Sequence, residues 1–416
     1  MAKKKSISTD VFDFVALDKM LSAIDGLEDG SILTDNTFAT IDHWIPTGNY
    51  IFNAQLSGTI YGGYANTRSY GFAGDPGAGK SFLCYNAVKQ AQEIGYTIVY
   101  VDTEGAADKN TFLNFGINTD KVRYQPCKTV GQFKKLAMEL IDYVKKFKHL
   151  PIEDRPRVLL VLDSVSMLTT QKELDDAVTG GKEETMDMGL KAKQLRSLFR
   201  AITLDLSGAK IPMLMTHHLQ TGGGPYAGKT TSGGKGPTFS CSAELYLSKS
   251  QLKEDGVTKT GVIITSRPQK TRFCVPQEVE FHIPYNGVMN KYVGLEKWIS
   301  WDICGIDRGK VYDQKEYNKM KEADQAKCQE FVDQDGEVGF FEYQKTSLRF
   351  IVKHLGKSIF PRELFTKEVF TKEVLDMLDE KAIQPNFKLP ELSDSDADLE
   401  VFVEDEEEEE DTLENM

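Results

Sequence analysis

The clearest chemistry in this sequence lies in Gly74-Asp75-Pro76-Gly77-Ala78-Gly79-Lys80-Ser81, a G-x-x-x-x-G-K-[ST] pattern. It falls between a predicted strand, Ser69–Ala73, and a predicted helix near Lys80–Ile94, the context a phosphate-binding loop requires. Glycines let the backbone wrap around a phosphate with several N–H groups pointing inward, and the helix that starts near Gly79 adds its positive end. Lys80 would then reach the β- and γ-phosphates of a nucleoside triphosphate and the Ser81 hydroxyl would ligate Mg²⁺, with Phe82 following in the first helical turn. The alternative reading is a glycine-rich turn without a ligand.

Hydrolysis needs more than a phosphate cradle. Val158-Leu159-Leu160-Val161-Leu162-Asp163 reads as a buried strand with a carboxylate at its C-terminal end, where open α/β sheets bind their ligands. Asp163 would hold the magnesium shell through water. Ser164 follows it where an acid could have stood, so the group that orients water must come from elsewhere. Glu104 lies just past the predicted strand Thr97–Asp102 and can face a γ-phosphate; as a solvated loop acid it would do nothing. A further strand, Ile211–Thr216, ends in His217-His218, which brings an imidazole to the same crevice, although an ordinary strand-end histidine has the same spacing.

Two segments leave the C-terminal side of the sheet. Leu219 to Thr238 holds seven glycines together with Tyr226, Lys229 and Lys235, and the second runs from Val178 through Lys182 to Met188-Gly189. A structureless loop of the first kind inside a compact domain is commonly functional. Its lysines can meet phosphates and its tyrosine can stack on bases, so single-stranded nucleic acid is the candidate ligand; simple surface loops are the alternative. With few contacts per subunit, affinity would come from many subunits along one strand, as a filament or ring.

These groups need a scaffold. Short apolar runs alternate with helical stretches near Lys80–Ile94, Val130–Phe147 and Leu190–Leu206, the pattern of an α/β fold with a mostly parallel sheet and helices on both faces. The strands Ala243–Ser248, Gly261–Ser266 and Val279–Pro284 follow without room for helices, so the sheet should end antiparallel. This divides the chain into an N-terminal arm, 1–40, with an amphipathic helix over Asp10–Ile24; a core, 41–300; a small α+β domain, 301–390, with a helix over Pro361–Lys381; and a tail, 391–416. Fourteen of the 63 acids and none of the 50 bases lie from Glu391 onward, so the net charge of −13 belongs to the tail while residues 1–390 are nearly neutral. Such a one-signed, weakly hydrophobic segment predicts disorder, and a brake on DNA binding or a handle for basic partner proteins, with a merely solubilising extension as the alternative. No apolar run approaches the roughly 20 residues of a membrane span. The six cysteines form no metal-ligand spacing and read as reduced thiols of a cytoplasmic protein.

In this order, the P-loop, Glu104, Asp163, the loop before Met188-Gly189, the polar pair His217-His218 and the glycine-rich loop resemble the RecA recombinases, and the Ile45-Pro46-Thr47-Gly48 entry looks like theirs. The likeness is closest to the phage UvsX-type members, which similarly have a histidine near the γ-phosphate and an acidic tail. It implies a RecA-like P-loop ATPase core that uses ATP and Mg²⁺, with Gly74–Ser81 and Phe82 on the nucleotide, Asp108 near adenine, Glu104 as the catalytic carboxylate and His218 as the γ-phosphate sensor. It further implies that 178–188 and 219–238 bind DNA, and that Lys270 and Arg272 reach the ATP of the neighbouring subunit. Where the family often has a Tyr near the base this sequence has Thr111 followed by Phe112, and His217 stands in place of the usual Asn. The function implied is ATP-dependent strand exchange between single-stranded DNA and homologous duplex DNA, by a helical filament of this chain, in recombination, repair and recombination-dependent replication. Single-strand-binding and mediator proteins would be partners, and a phage-encoded protein would act in the host bacterial cytoplasm. A ring helicase of the same fold is the alternative motor, and an ATP-switched scaffold without turnover the alternative outside catalysis.

Overall fold

A computed structural model describes residues 14–24, 30, 33, 38–179, 187–221, 229–231, 234, 236–254, 257–285 and 288–390. A short antiparallel ladder pairs β1 (Trp44–Ile45) with β2 (Tyr64–Ala65). The main sheet contains β3 (Ser69–Gly74), β4 (Thr97–Asp102), β5 (Val122–Pro126), β6 (Val158–Asp163), β7 (Met213–Thr221), β8 (Lys229–Thr231), β9 (Ala243–Glu254), β10 (Thr258–Thr271) and β11 (Val279–Pro284). Its spatial order is β11-β10-β9-β3-β7-β6-β4-β5, with β8 added to β7. From β9 to β5 all pairs are parallel, whereas β10 runs antiparallel to both β9 and β11. The expected mostly parallel sheet with an antiparallel end is therefore present.

The sheet is double-sided, and its central strand β6 is apolar at each of its positions before Asp163. Leu159 and Val161 of β6 face one buried cluster, with Leu83, Cys84 and Val88 of α3 (Lys80–Glu93); Leu160 and Leu162 face another, with Phe133 and Ile141 of α5 (Val130–Lys145) and Leu195, Phe199 and Ile202 of α7 (Asp187–Gly208). The two-residue period of a strand thus serves both layers, and each such side chain contributes about 1.5–3 kcal/mol by burial. Helix α5 starts on a capping box in which Thr129 and Gln132 exchange bonds with each other's backbone.

Some elements differ from expectation. Strand β5, Val-Arg-Tyr-Gln-Pro, escapes the sequence pattern because it is an edge strand whose residues are half-buried or exposed. Helix α7 starts at Asp187, so Met188 and Gly189 belong to its first turn instead of a loop, and Val178 lies in the last turn of α6 (Gln171–Thr179). The glycine-rich segment is not structureless throughout: β7 and β8 pair over Leu219↔Thr231 and Thr221↔Lys229, and α8 (Gly236–Ser240) closes it. The N-terminal helix, α1, covers Phe14–Ser22 and buries none of its residues in this chain. Lys182, Tyr226, Lys235 and the tail 391–416 lie outside the described residues.

Residues 306–359 form a second, five-stranded antiparallel sheet of β12 (Ile306–Tyr312), β13 (Cys328–Val332), β14 (Val338–Tyr343), β15 (Phe350–Val352) and β16 (Lys357–Ile359), in the order β13-β14-β12-β15-β16. The helix expected over Pro361–Lys381 is broken: Pro361–Leu364 is one turn, and Thr371 caps a new helix, Lys372–Leu378, by accepting from Val374 N. This C-terminal part packs on α2 (Tyr50–Ser57) and its surroundings. Asp379 accepts from Ile60 N at 2.8 Å and Thr59 Oγ1 at 2.7 Å, and Tyr292 stacks on Phe370 at 5.3 Å. No helix among the described residues is long and apolar enough to cross a membrane.

Candidate active site

Strand β3 delivers the phosphate loop to the C-terminal edge of the sheet, with Gly74 beside His218 of β7 and Leu247 of β9. A Cβ on Gly74 would meet Leu247 O at 2.8 Å, so the loop leaves the strand where only glycine fits. Gly77 and Gly79 have φ of 74° and 85°, the left-handed region that L side chains avoid. The Lys80 ammonium folds back over the loop, donating to Gly74 O at 2.8 Å and Asp75 O at 3.1 Å. Burial lowers its pKa, while Asp163, Glu104 and Asp75 oppose that shift. Asp75, Pro76 and Gly77 are exposed, Ala78 is buried, Ser81 is half-buried in the first turn of α3, and Phe82 packs edge-on against Phe115 at 5.1 Å. Lys249, which belongs to no sequence motif, reaches the same loop from β9 and donates to Pro76 O at 2.7 Å.

Glu104 sits on a turn built by its neighbour. The buried Asp102 carboxylate accepts from the N–H of Glu104 and Gly105 at 2.8 Å, from that of Ala107 at 3.0 Å and from Tyr124 OH at 2.9 Å, which fixes the chain that presents Glu104. Glu104 Oε1 in turn receives Ser164 Oγ at 2.8 Å and lies 2.9 Å from His218 Nε2. The backbone N–H of His218 donates to Ser166 Oγ. Asp163 receives Tyr100 OH at 2.8 Å and Thr216 Oγ1 at 2.5 Å. Glu104, Asp163, His218 and Lys80 thus come from four different strand ends to one crevice. Asp102, Ser164 and Thr216 were not singled out from the sequence, because their importance lies in pairings between segments far apart in the chain.

His217 behaves differently from its neighbour. It is fully buried, both ring nitrogens lack a hydrogen-bond partner among the described residues, and burial, with the charges of His218 and Lys80, pushes its pKa down to about 3. It is a neutral core residue behind the crevice. Asp108 caps α4 (Lys109–Asn114) by accepting from Thr111 N at 2.7 Å, and these bonds hold its carboxyl below the usual range. Phe112 faces inward against Tyr85 and Tyr100, so it offers no ring to a base.

Lys270 and Arg272 stand at the opposite end of the sheet. Antiparallel β10 sets Lys270 beside Glu244 and Thr271 beside Ala243, and Ala243 pairs with Tyr70 at the start of β3, away from the phosphate loop at its end. Lys270 Nζ donates to Thr238 O at 3.0 Å and Phe239 O at 2.9 Å, and Arg272 is exposed. Neither is brought to the Lys80 of its own chain.

Of the candidate loop residues, Met188 and Gly189 open α7 and Lys229 opens β8. The structure adds two arginines that the sequence left unremarked. Arg196 and Arg200, one turn apart on α7, line a cavity of about 530 Å³ with Phe199, Gly236 and Phe239, and no carboxylate among the described residues pairs with either.

Residues 16–290 match the RecA N-terminal domain. The chain is 27% identical to Protein RecA of Nocardioides sp. over 254 residues, 60% of this chain and 67% of that protein. It is 28% identical to Protein RecA of Paenarthrobacter aurescens over 286 residues, 67% of this chain and 77% of the other, and 27% identical to that of Saccharopolyspora erythraea over 280 residues, 67% and 73%. The matched span holds the phosphate loop, Glu104, Asp163, His218, Lys270 and Arg272, and stops short of the second sheet.

Proposed function

The chain belongs to the RecA family, and from that premise we propose that it is an ATP-dependent DNA strand-exchange protein of the phage UvsX type, active as a filament on single-stranded DNA in recombination, repair and recombination-dependent replication. The observation that carries this reading is the Glu104 carboxylate, clamped by Ser164 and His218 beside Lys80. The arm 1–40 mediates polymerisation, 41–300 binds ATP and DNA, and 301–390 is a small accessory domain. A phage-encoded chain acts in the cytoplasm of its host.

The donor set suits a magnesium nucleotide: a hydroxyl at Ser81 and a carboxylate at Asp163 are hard oxygen ligands, and Asp163 is already oriented by Tyr100 and Thr216. When bound, the metal neutralises charge on the β- and γ-phosphates. Lys80 exchanges loop carbonyls for phosphate oxygens, and the free oxygen of Glu104 accepts from the attacking water and aligns it with the γ-phosphorus. His218, bonded to the same carboxylate, lies at the root of the β7–β8 hairpin, so a change at the phosphate reaches the candidate DNA loop through one strand. Arg196 and Arg200 support a phosphate-backbone path beside that loop. Lys270 and Arg272, remote from their own nucleotide, supply positive charge to that of the next subunit, which makes hydrolysis wait for assembly.

Glu104→Gln is expected to keep ATP binding and lose hydrolysis stimulated by single-stranded DNA; full turnover in that variant would remove Glu104 from the mechanism. Electron microscopy with DNA and a slowly hydrolysed ATP analogue should show extended filaments, and closed rings would favour a helicase.

A further inference from the structure

The phosphate loop carries a second ammonium besides that of Lys80. Successive carbonyls in its first half are occupied: Lys80 Nζ donates to Gly74 O and Asp75 O, and Lys249 Nζ donates to Pro76 O at 2.7 Å. Lys249 lies on β9 just beyond Leu247, the residue that pairs with Gly74 at the end of β3. Strand β3 therefore ends between two flanks, with His218 of β7 on one side and Lys249 of β9 on the other. Gly77 leaves room for this ammonium, since a Cβ there would stand 2.6 Å from Nζ.

Nothing in the fold asks for a charge at Lys249. It is exposed, no carboxylate among the described residues pairs with it, and Pro76, whose carbonyl it holds, is exposed as well. Burial is the main cause of the lowered pKa of Lys80, and the positive charge of Lys249 adds to it. Two cations thus face one loop and repel each other until an anion lies between them. Their placement also selects which phosphate that anion is. The start of α3 at Gly79–Ser81 meets the inner phosphates with its N–H groups. Lys80 folds back from the helix toward Gly74 and Asp75, the side on which the β- and γ-phosphates are reached. Lys249, one carbonyl further along, belongs to the outer end of the polyphosphate.

We propose that Lys249 binds the γ-phosphate of its own chain's nucleotide, exchanging Pro76 O for a terminal phosphate oxygen, and so distinguishes ATP from ADP. The inference deepens the ATPase reading given above and rests on it. The γ-phosphoryl group is then held by an ammonium from the β9 flank while Glu104 and His218 work from the β7 flank. Each chain has in Lys249 a cation for its own nucleotide, separate from the Lys270 and Arg272 offered to the next. A charge-assisted hydrogen bond of this kind forms with ATP only, because ADP ends one phosphate short of the ammonium.

Calorimetric titration of the full chain, without DNA, with the magnesium complexes of ADP and of the β,γ-imido analogue of ATP tests this directly. Lys249→Met is expected to weaken the ATP analogue about tenfold or more while leaving ADP within about twofold of the parent. Lys249→Arg, which keeps the charge, should recover most of the loss. Retained ADP affinity reports an intact loop. Equal losses for the two nucleotides, as a residue that merely shapes the loop would give, or unchanged affinity for both, would overturn the assignment while leaving the ATPase reading in place. A parent chain that bound neither nucleotide would overturn that reading, and this inference with it.

Discussion

At the scale of single residues, the two adjacent histidines show how one position along a strand changes chemistry. His218 points to the crevice and touches Glu104, whereas His217 is enclosed and kept neutral. With a folded pKa near 3 against the ordinary value of 6.5, the unfolded chain binds a proton at pH 5 that the folded chain refuses, so stability falls as pH drops below about 6.5 and keeps falling toward 3. This contribution is about 2 kcal/mol between pH 7 and pH 5. His217→Asn should remove it: denaturant unfolding at the two pH values would differ less in the variant than in the parent, and an unchanged difference would deny His217 the burial described. The sequence made His217-His218 visible as a pair, but which of them is buried depends on the register of β7 against β3, which no local pattern encodes.

At the scale of elements, what could be read in advance followed from hydrophobic period. The strands β3, β4 and β6 and the helices α3 and α5 stand where apolar spacing puts them, because each is packed on its full length. Edge strand β5 did not announce itself, since half-exposed residues carry little periodicity. The long-range joint between α2 and the C-terminal helices was equally hidden. There Asp379 holds Ile60 N, Thr59 Oγ1 and Gln384 Nε2, and removing the carboxylate leaves buried donors unpaired. Asp379→Leu is expected to destabilise the protein by about 3–5 kcal/mol and Asp379→Asn, which keeps an acceptor, by less. A loss below about 1 kcal/mol for the leucine variant in chemical denaturation would show that the joint does not depend on this group.

At the scale of the whole molecule, the candidate site is divided: Glu104 and Lys80 at one end of the sheet, Lys270 and Arg272 at the other. Chains carrying Glu104→Gln and chains carrying Lys270→Gln with Arg272→Gln should each lack DNA-stimulated hydrolysis. Mixed in equal amounts they should recover part of it, because about a quarter of head-to-tail interfaces then join an intact carboxylate to an intact basic pair. No recovery on mixing would mean that both sets serve the same chain.

The parallel strands that separate these two sets also give the molecule a direction. A polymer in which one end of the sheet meets the other end of the next copy has two unlike tips. On the proposed trans role of Lys270 and Arg272, the last subunit at one tip would hold nucleotide that no neighbour completes, while at the other tip the basic pair would await a loaded partner. Growth and loss at the two tips of such a polymer would then proceed at different rates, with a polarity set by the direction of β3.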